Sequence, residues 1–170
     1  MNAAELRAVQ APLKQSYRDD PASARIAARA VGRIDQERIA CVIDSPHGSV
    51  TAGLHPAAGG DGALACSGDM LLEAMVACAG VTLAAVATAM GVPIKGGTIT
   101  AEGVWDARGT LAIDRTAPVG VTEIALRFDL DTDADAATVE RLIASTERYC
   151  VILQTLRNPP EIAVVRGGQG

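Results

Sequence analysis

Four cysteines, Cys41, Cys66, Cys78 and Cys150, carry the most versatile chemistry in this 170-residue chain. A thiol can fill a core as a small hydrophobe, ligate a metal, or attack an electrophile once ionised. Spacing narrows the choice. No CxxC pair occurs, and only His47 and His55 could join the thiols. A zinc site would have to be gathered from scattered positions, unlike the short ligand spacings of structural zinc sites. Burial is the bland role for each, because free cysteine is among the most buried residue types. Cys78 raises a sharper question, since it lies in the middle of GDMLLEAMVACAGVTLAAVATAMG, residues 68–91, an apolar run with Asp69 and Glu73 near its start.

That run is long enough to cross a bilayer. Glu73 lies inside it, alanine is only weakly apolar, and no basic residue flanks its N-terminal end. A core helix, hydrophobic all round, accounts for it better. Ser67 or Asp69 is the expected cap, and Gly91 followed by Pro93 the stop. Before it, SARIAARAVGRID, QERIACVIDS and GSVTAGLHP read as three antiparallel strands, with turns at Asp35-Gln36 and Pro46-His47-Gly48. In the first of them Arg25, Arg29 and Arg33 share one face. AAGGDGALACSG is a small-residue loop. KGGTITAEGVWDARG predicts a strand, and TLAIDRTAPVG a loop or strand extension. VTEIALRFDLD alternates Ile124, Leu126, Phe128 and Leu130 against Glu123, Arg127 and Asp129, as a half-buried strand does. DADAATVERLIASTERYC predicts a helix turning Val139, Leu142, Ile143 and Thr146 inward, with Cys150 at its end. RNPPEIAVVRG predicts a last short strand. Residues 3–18 form an N-terminal helix that Pro12 interrupts and Asp19-Asp20-Pro21 ends. The class is α+β with antiparallel sheet, in a single domain over 1–170 with residues 1–20 as a helical extension.

Composition excludes some partners. The formal net charge is −5, Lys14 and Lys95 are the only lysines, and no basic block exists. Nucleic acid is therefore not an expected partner. Trp105, Tyr17, Tyr149 and Phe128 are the only aromatic residues apart from the two histidines, too few for a stacking platform. The first residues lack the basic start and apolar stretch of a signal peptide, which places the expected location in the cytoplasm, where stable disulfides are uncommon.

GDMLLEAMVACAG followed by a long apolar helix resembles the first cysteine motif of the OsmC/Ohr family, and ERYCVILQTL resembles its second. The order of elements is similar over roughly residues 22–166. The resemblance implies an OsmC-like fold: antiparallel sheets wrapped around two long apolar helices in an intertwined homodimer, with active sites at the subunit interface. It implies a thiol-dependent peroxidase of the organic hydroperoxide reductase type. Cys78 matches the peroxidatic cysteine and Cys150 the resolving one. Asp69 matches an acidic position at the helix start, where glutamate is more usual, and Glu73 one turn on could substitute. The arginine that lowers the thiol pKa matches Arg33, after Gly32, with Arg29 and Arg38 as alternatives. The family often has Cys-Pro where this chain has Cys150-Val151. No bound cofactor is implied; an external dithiol would reduce the enzyme and an organic hydroperoxide would be its substrate.

Peroxide reduction needs a thiolate, which attacks the O–O bond to give a sulfenic acid and an alcohol. An ordinary thiol is mostly protonated at neutral pH, so its surroundings must favour the anion. Met70, Leu71, Met75 and Val76 are the expected apolar substrate pocket. Cys66 could approach Cys78 as another resolving thiol, Cys41 belongs inside the sheet, and His55 reads as a turn histidine. The competing function is a non-catalytic dimer that binds a small apolar ligand.

Overall fold

The computed structural model describes residues 1–167. Helix α1 (Ala3–Asp19) opens with a capping box, in which the Asn2 side chain accepts from the Glu5 N–H and the Glu5 carboxylate accepts from the Asn2 N–H. Pro12 lies inside this helix without ending it. Asp20 then caps a short 3-10 turn, Pro21–Ala24.

Three strands follow, β1 (Val31–Asp35), β2 (Ala40–Ser45) and β3 (Gly48–Gly53), paired antiparallel in that order. The strand expected to begin at Ser23 begins only at Val31. Val31 pairs with Asp44, one residue before β2 ends at Ser45, so residues 25–30 pair with no strand among the described residues. Arg25 and Arg29 are therefore not in the sheet, and only Arg33 of the three predicted arginines is. A 3-10 turn (Pro56–Ala58) and a two-residue strand β4 (Ala65–Cys66), parallel to β3, lead into the long helix.

Helix α2 (Ser67–Met90) starts after Cys66, whose side chain makes no cap bond; Asp69 lies in the first turn. A carboxylate there complements the positive end of the helix dipole. Gly91 ends the helix at φ 70°, a left-handed conformation that suits glycine. Met75, Ala79, Leu83 and Ala87, spaced four apart, are the buried face. Strands β5 (Gly96–Val104) and β6 (Glu123–Asp131) form a second antiparallel ribbon, joined through helix α3 (Ala107–Thr110) and a loop. Helix α4 (Ala136–Tyr149), capped by the Asp135 carboxylate on the Thr138 N–H, packs on α2. The core joins Leu83 and Ala87 of α2 to fully buried Leu142 of α4, with Ile99, Phe128 and Leu130 of the ribbon against them. The inward faces expected for β6 and α4 are the ones observed, except that Ile124 is 38 % exposed.

The predicted last strand is absent. Cys150 is followed directly by helix α5 (Val151–Arg157), and residues 158–167 pair with no strand. Ile162, Val164 and Val165 are exposed there.

Gly97 in β5 sits at φ 150°, and a Cβ on it would lie 2.4 Å from the Asp129 carbonyl oxygen. Gly97→Ala is expected to cost about 1–3 kcal/mol of stability. Urea denaturation measures it, and an unchanged midpoint would contradict the close strand approach described here.

Candidate active site

The fold brings the two predicted cysteines together. Cys78 lies mid-way along α2, half-buried, and Cys150 is fully buried at the joint between α4 and α5, both of which pack on α2. Cys150 is a single extended residue (φ −72°, ψ 108°) that caps both helices. Its N–H donates to the Thr146 carbonyl (2.9 Å), and its carbonyl accepts the Gln154 N–H (2.9 Å). The Gln154 side-chain amide donates to the Glu147 carbonyl at 2.8 Å and fixes the corner. Both thiols are free.

Their electrostatics differ in sign. Burial pushes the Cys78 thiol up, but the backbone N–H groups of Ile152 and Val151, the Cys150 thiol and the Thr82 hydroxyl oppose it, and the net shift is downward. Burial pushes Cys150 up as well. The Leu153 and Ile152 N–H groups act against that, the neighbouring Cys78 adds to it, and Cys150 ends raised. Cys78 is thus the thiol that ionises first, and Cys150 the one that keeps its proton and donates it in a hydrogen bond.

The groups that lower the Cys78 thiol are the peptide N–H groups that open α5, the Cys150 thiol and the Thr82 hydroxyl, and not the expected cation. Among the described residues, no arginine is one of the groups that shift Cys78. Arg33 is exposed on the first hairpin, ion-paired with Asp44, and this pairing lowers the Asp44 carboxyl below its ordinary value. Arg38 lies 3.9 Å from Asp35, and Arg29 is outside the sheet. Asp69 and Glu73 lie one turn apart on an exposed face of α2. They line an open groove of about 500 Å³ with Leu72, Val76 and Ile99.

Cys66 cannot serve Cys78 within one chain. Twelve steps along the helix separate them, about 18 Å at 1.5 Å per residue, far beyond the roughly 7 Å Cα separation a disulfide tolerates. Cys41 faces Gly32 of β1, where an added Cβ would lie 2.6 Å from its sulfur. His55 is the turn residue expected: its Nδ1 accepts the Ala57 N–H at 3.0 Å.

The predicted pocket divides. Successive residues on a helix point 100° apart, so Met70, Leu71, Met75 and Val76 cannot share one cavity. Met75 lines a cavity of about 340 Å³ with Leu126, Phe128, Leu153 and Arg157, while Val76 lines the open groove and Leu71 a third space. Met75 precedes Cys78 by three residues and Leu153 follows Cys150 by three, which puts this cavity one helical turn from each thiol. Arg157 at its side is paired with Glu147 at 3.0 Å. Thr82, the α5 N–H groups and Arg157 were not singled out from the sequence. Thr82 had a signal, its place four residues after Cys78; the N–H groups had none, because α5 was not expected.

The sequence matches the family described as OsmC-like protein over residues 60–165. The chain belongs to the OsmC-like protein family. Its fold is that of the family's solved structures. An OsmC-like protein from Mycoplasma pneumoniae superposes with a TM-score of 0.66 at 15 % identity, over 79 % of this chain and 89 % of that one. An organic hydroperoxide resistance protein from Elizabethkingia anophelis gives 0.63 at 14 % identity, over 79 % and 92 %. A protein from Legionella pneumophila, described as an organic hydroperoxide resistance protein OsmC, gives 0.61 at 16 %, over 78 % and 92 %. At these identities the likeness is one of fold. No curated protein matches the sequence.

Proposed function

We propose that this OsmC-like protein is a thiol-dependent peroxidase that reduces organic hydroperoxides. The observation that carries this is the pairing of Cys78 and Cys150 with opposite shifts, one thiol eased toward its anion and the other held protonated beside it. The Cys78 thiolate attacks the terminal peroxide oxygen. The S–O bond forms as the O–O bond breaks, and the alkoxide takes the Cys150 proton to leave as the alcohol. Cys150, now a thiolate, attacks the Cys78 sulfenic acid, and hydroxide leaves as water after protonation. An external dithiol supplies the two electrons that reopen the disulfide. The cavity of Met75, Phe128 and Leu153 would hold the apolar part of the peroxide. No bound cofactor is required, and the cytoplasm, with its dithiol pool, is the fitting location.

Turnover of cumene hydroperoxide with dithiothreitol as donor tests the reading. Saturable consumption, faster than with hydrogen peroxide, is expected. A complete lack of turnover would favour the second reading, a dimer that binds an apolar ligand, which the missing arginine beside Cys78 supports. In Cys150→Ser the first turnover should still occur, with a Cys78 sulfenic acid trapped by dimedone and detected by mass spectrometry; an untrappable Cys78 would contradict the assigned roles.

The alkylation rate of Cys78 by iodoacetamide should follow its thiolate. Because its pKa is lowered, reactivity persists above an inflection that lies below that of an ordinary cysteine and is lost as pH falls through it. Cys150→Ala removes a donor and should move that inflection upward. An inflection at or above the ordinary value would contradict the lowered thiol.

The working unit in this proposal is a homodimer. Ala74, Ala77, Val81 and Ala84 form an exposed stripe on α2 with 3-4-3 spacing, and Val81 is 74 % exposed. Small apolar residues at that spacing suit close packing of a second helix. The unpaired segments 25–30 and 161–165 await partners in the same way. A second copy could also bring an arginine to Cys78. Val81→Arg is expected to turn a dimer into monomers in sedimentation velocity; a dimer of unchanged affinity would place the interface elsewhere.

A further inference from the structure

A cavity of about 410 Å³ lies at the start of α2, at the far end of the helix segment that separates Cys66 from Cys78. Its volume falls within the range of small-molecule sites, about 300–1,000 Å³. The walls are chiefly apolar, with Leu54, Leu71, Val119, Val121 and Trp105 among the lining residues. His55 stands edge-on to Trp105, with ring centroids 5.3 Å apart at 90°. Such a T-shaped pair holds the indole in one orientation and makes it a rigid, flat wall.

The polar groups of this cavity are donors without a formal charge. His55 Nδ1 already accepts the Ala57 N–H, so the neutral ring carries its proton on Nε2. Ser67 and Thr110 add hydroxyls, and Cys66 a thiol. No lysine or arginine lines the space. Asp69, one residue beyond Gly68 of the lining, offsets the positive end of the α2 dipole, so this helix start offers an anion little net attraction.

We infer that this cavity is a second ligand site, for a small neutral compound with a flat apolar body and a carbonyl oxygen, an aryl ketone or aldehyde. The body lies against Trp105 between Leu54, Leu71 and Val121, and the oxygen accepts from the donors around His55 and Ser67. Binding is non-covalent and does not use Cys78 or Cys150. The proposal therefore does not depend on the peroxidase reading.

The chain carries its own reporters, because Trp105 is its only tryptophan and Cys66 lines the cavity. Acetophenone and benzoate, of equal size and opposite polarity, are the probes, with binding measured by calorimetry and by saturation-transfer NMR. Saturable acetophenone binding is expected, at least tenfold tighter than benzoate, and unchanged in Cys78→Ser. Saturating acetophenone should slow iodoacetamide alkylation of Cys66 at least threefold while leaving Cys41 unaffected. Trp105→Ala should weaken binding at least tenfold. If that variant does not fold, Leu54→Arg, at a residue 41 % exposed, should do the same by blocking the cavity. Non-saturable acetophenone binding, benzoate binding as tight, an unprotected Cys66, or loss of binding in Cys78→Ser would each overturn the assignment. So would a Cys66 already shielded without ligand, which would mean a second copy fills the space.

Discussion

Cys78→Ser is expected to lower hydroperoxide turnover by at least about a thousandfold, the scale on which loss of a nucleophile acts. A hydroxyl does not ionise at neutral pH, and its oxygen cannot take up an oxygen atom as sulfur does in becoming a sulfenic acid. The donors gathered around Cys78, the Ile152 and Val151 N–H groups and Thr82, would then face a neutral hydroxyl. Serine is close to cysteine in size and the site is half-buried, so the loss should appear in the chemistry and leave the unfolding midpoint within about 1 kcal/mol of wild type. Initial rates with cumene hydroperoxide, beside a urea melt of each protein, separate the two effects. A Cys78→Ser protein that keeps more than a tenth of wild-type turnover would move the reaction to another group.

The largest single effect on stability is expected at Leu142. It is fully buried and joins Leu83 and Ala87 of α2 to Phe128 and Leu130 of β6. Leu142→Ala should cost about 2–5 kcal/mol, from lost burial plus the cavity left behind. Few large aromatic side chains are available to close that cavity, because Phe128 is the only phenylalanine. The same residue positions α4, and through it Cys150, so the variant should also lose the asymmetry between the two thiols. Denaturant midpoints give the first effect, and the pH profile of Cys78 alkylation the second. A loss below about 1 kcal/mol would mean that α4 is not the element that closes this core.

Much of the framework was legible in local pattern. The stop at Gly91, the alternation through β6 beyond Ile124 and the inward face of α4 are set by residues close together in sequence, and they came out as read. The errors fall where pairing is non-local. Arg25 and Arg29 carry strand-like neighbours, yet β2 ends at Ser45, one residue past the partner of Val31, and leaves them without a strand partner among the described residues. No helix was expected in the VILQTL run after Cys150, which carries β-branched residues, but it forms α5 and packs against α2. Tertiary packing overrides a weak strand propensity in a run this short.

The site was legible to a similar depth. Two cysteines in two motifs pointed to Cys78 and Cys150, and the fold sets their thiols side by side. What lowers the Cys78 thiol was not legible, because backbone N–H groups at a helix start leave no residue-type signature. Arg33 was chosen as the cation for its place after Gly32. Its partner Asp44 becomes visible only once the hairpin register sets Arg33 against Val42 and brings Asp44 diagonally across.

The most direct measurement is a thiol count with disulfide mapping by mass spectrometry, before and after one equivalent of cumene hydroperoxide, on wild type and Cys78→Ser. The account predicts that wild type loses two thiols and gains a Cys78–Cys150 link, while the variant keeps its three remaining thiols. Four intact thiols in oxidised wild type, or a link that joins Cys66 or Cys41 in place of Cys150, would contradict it.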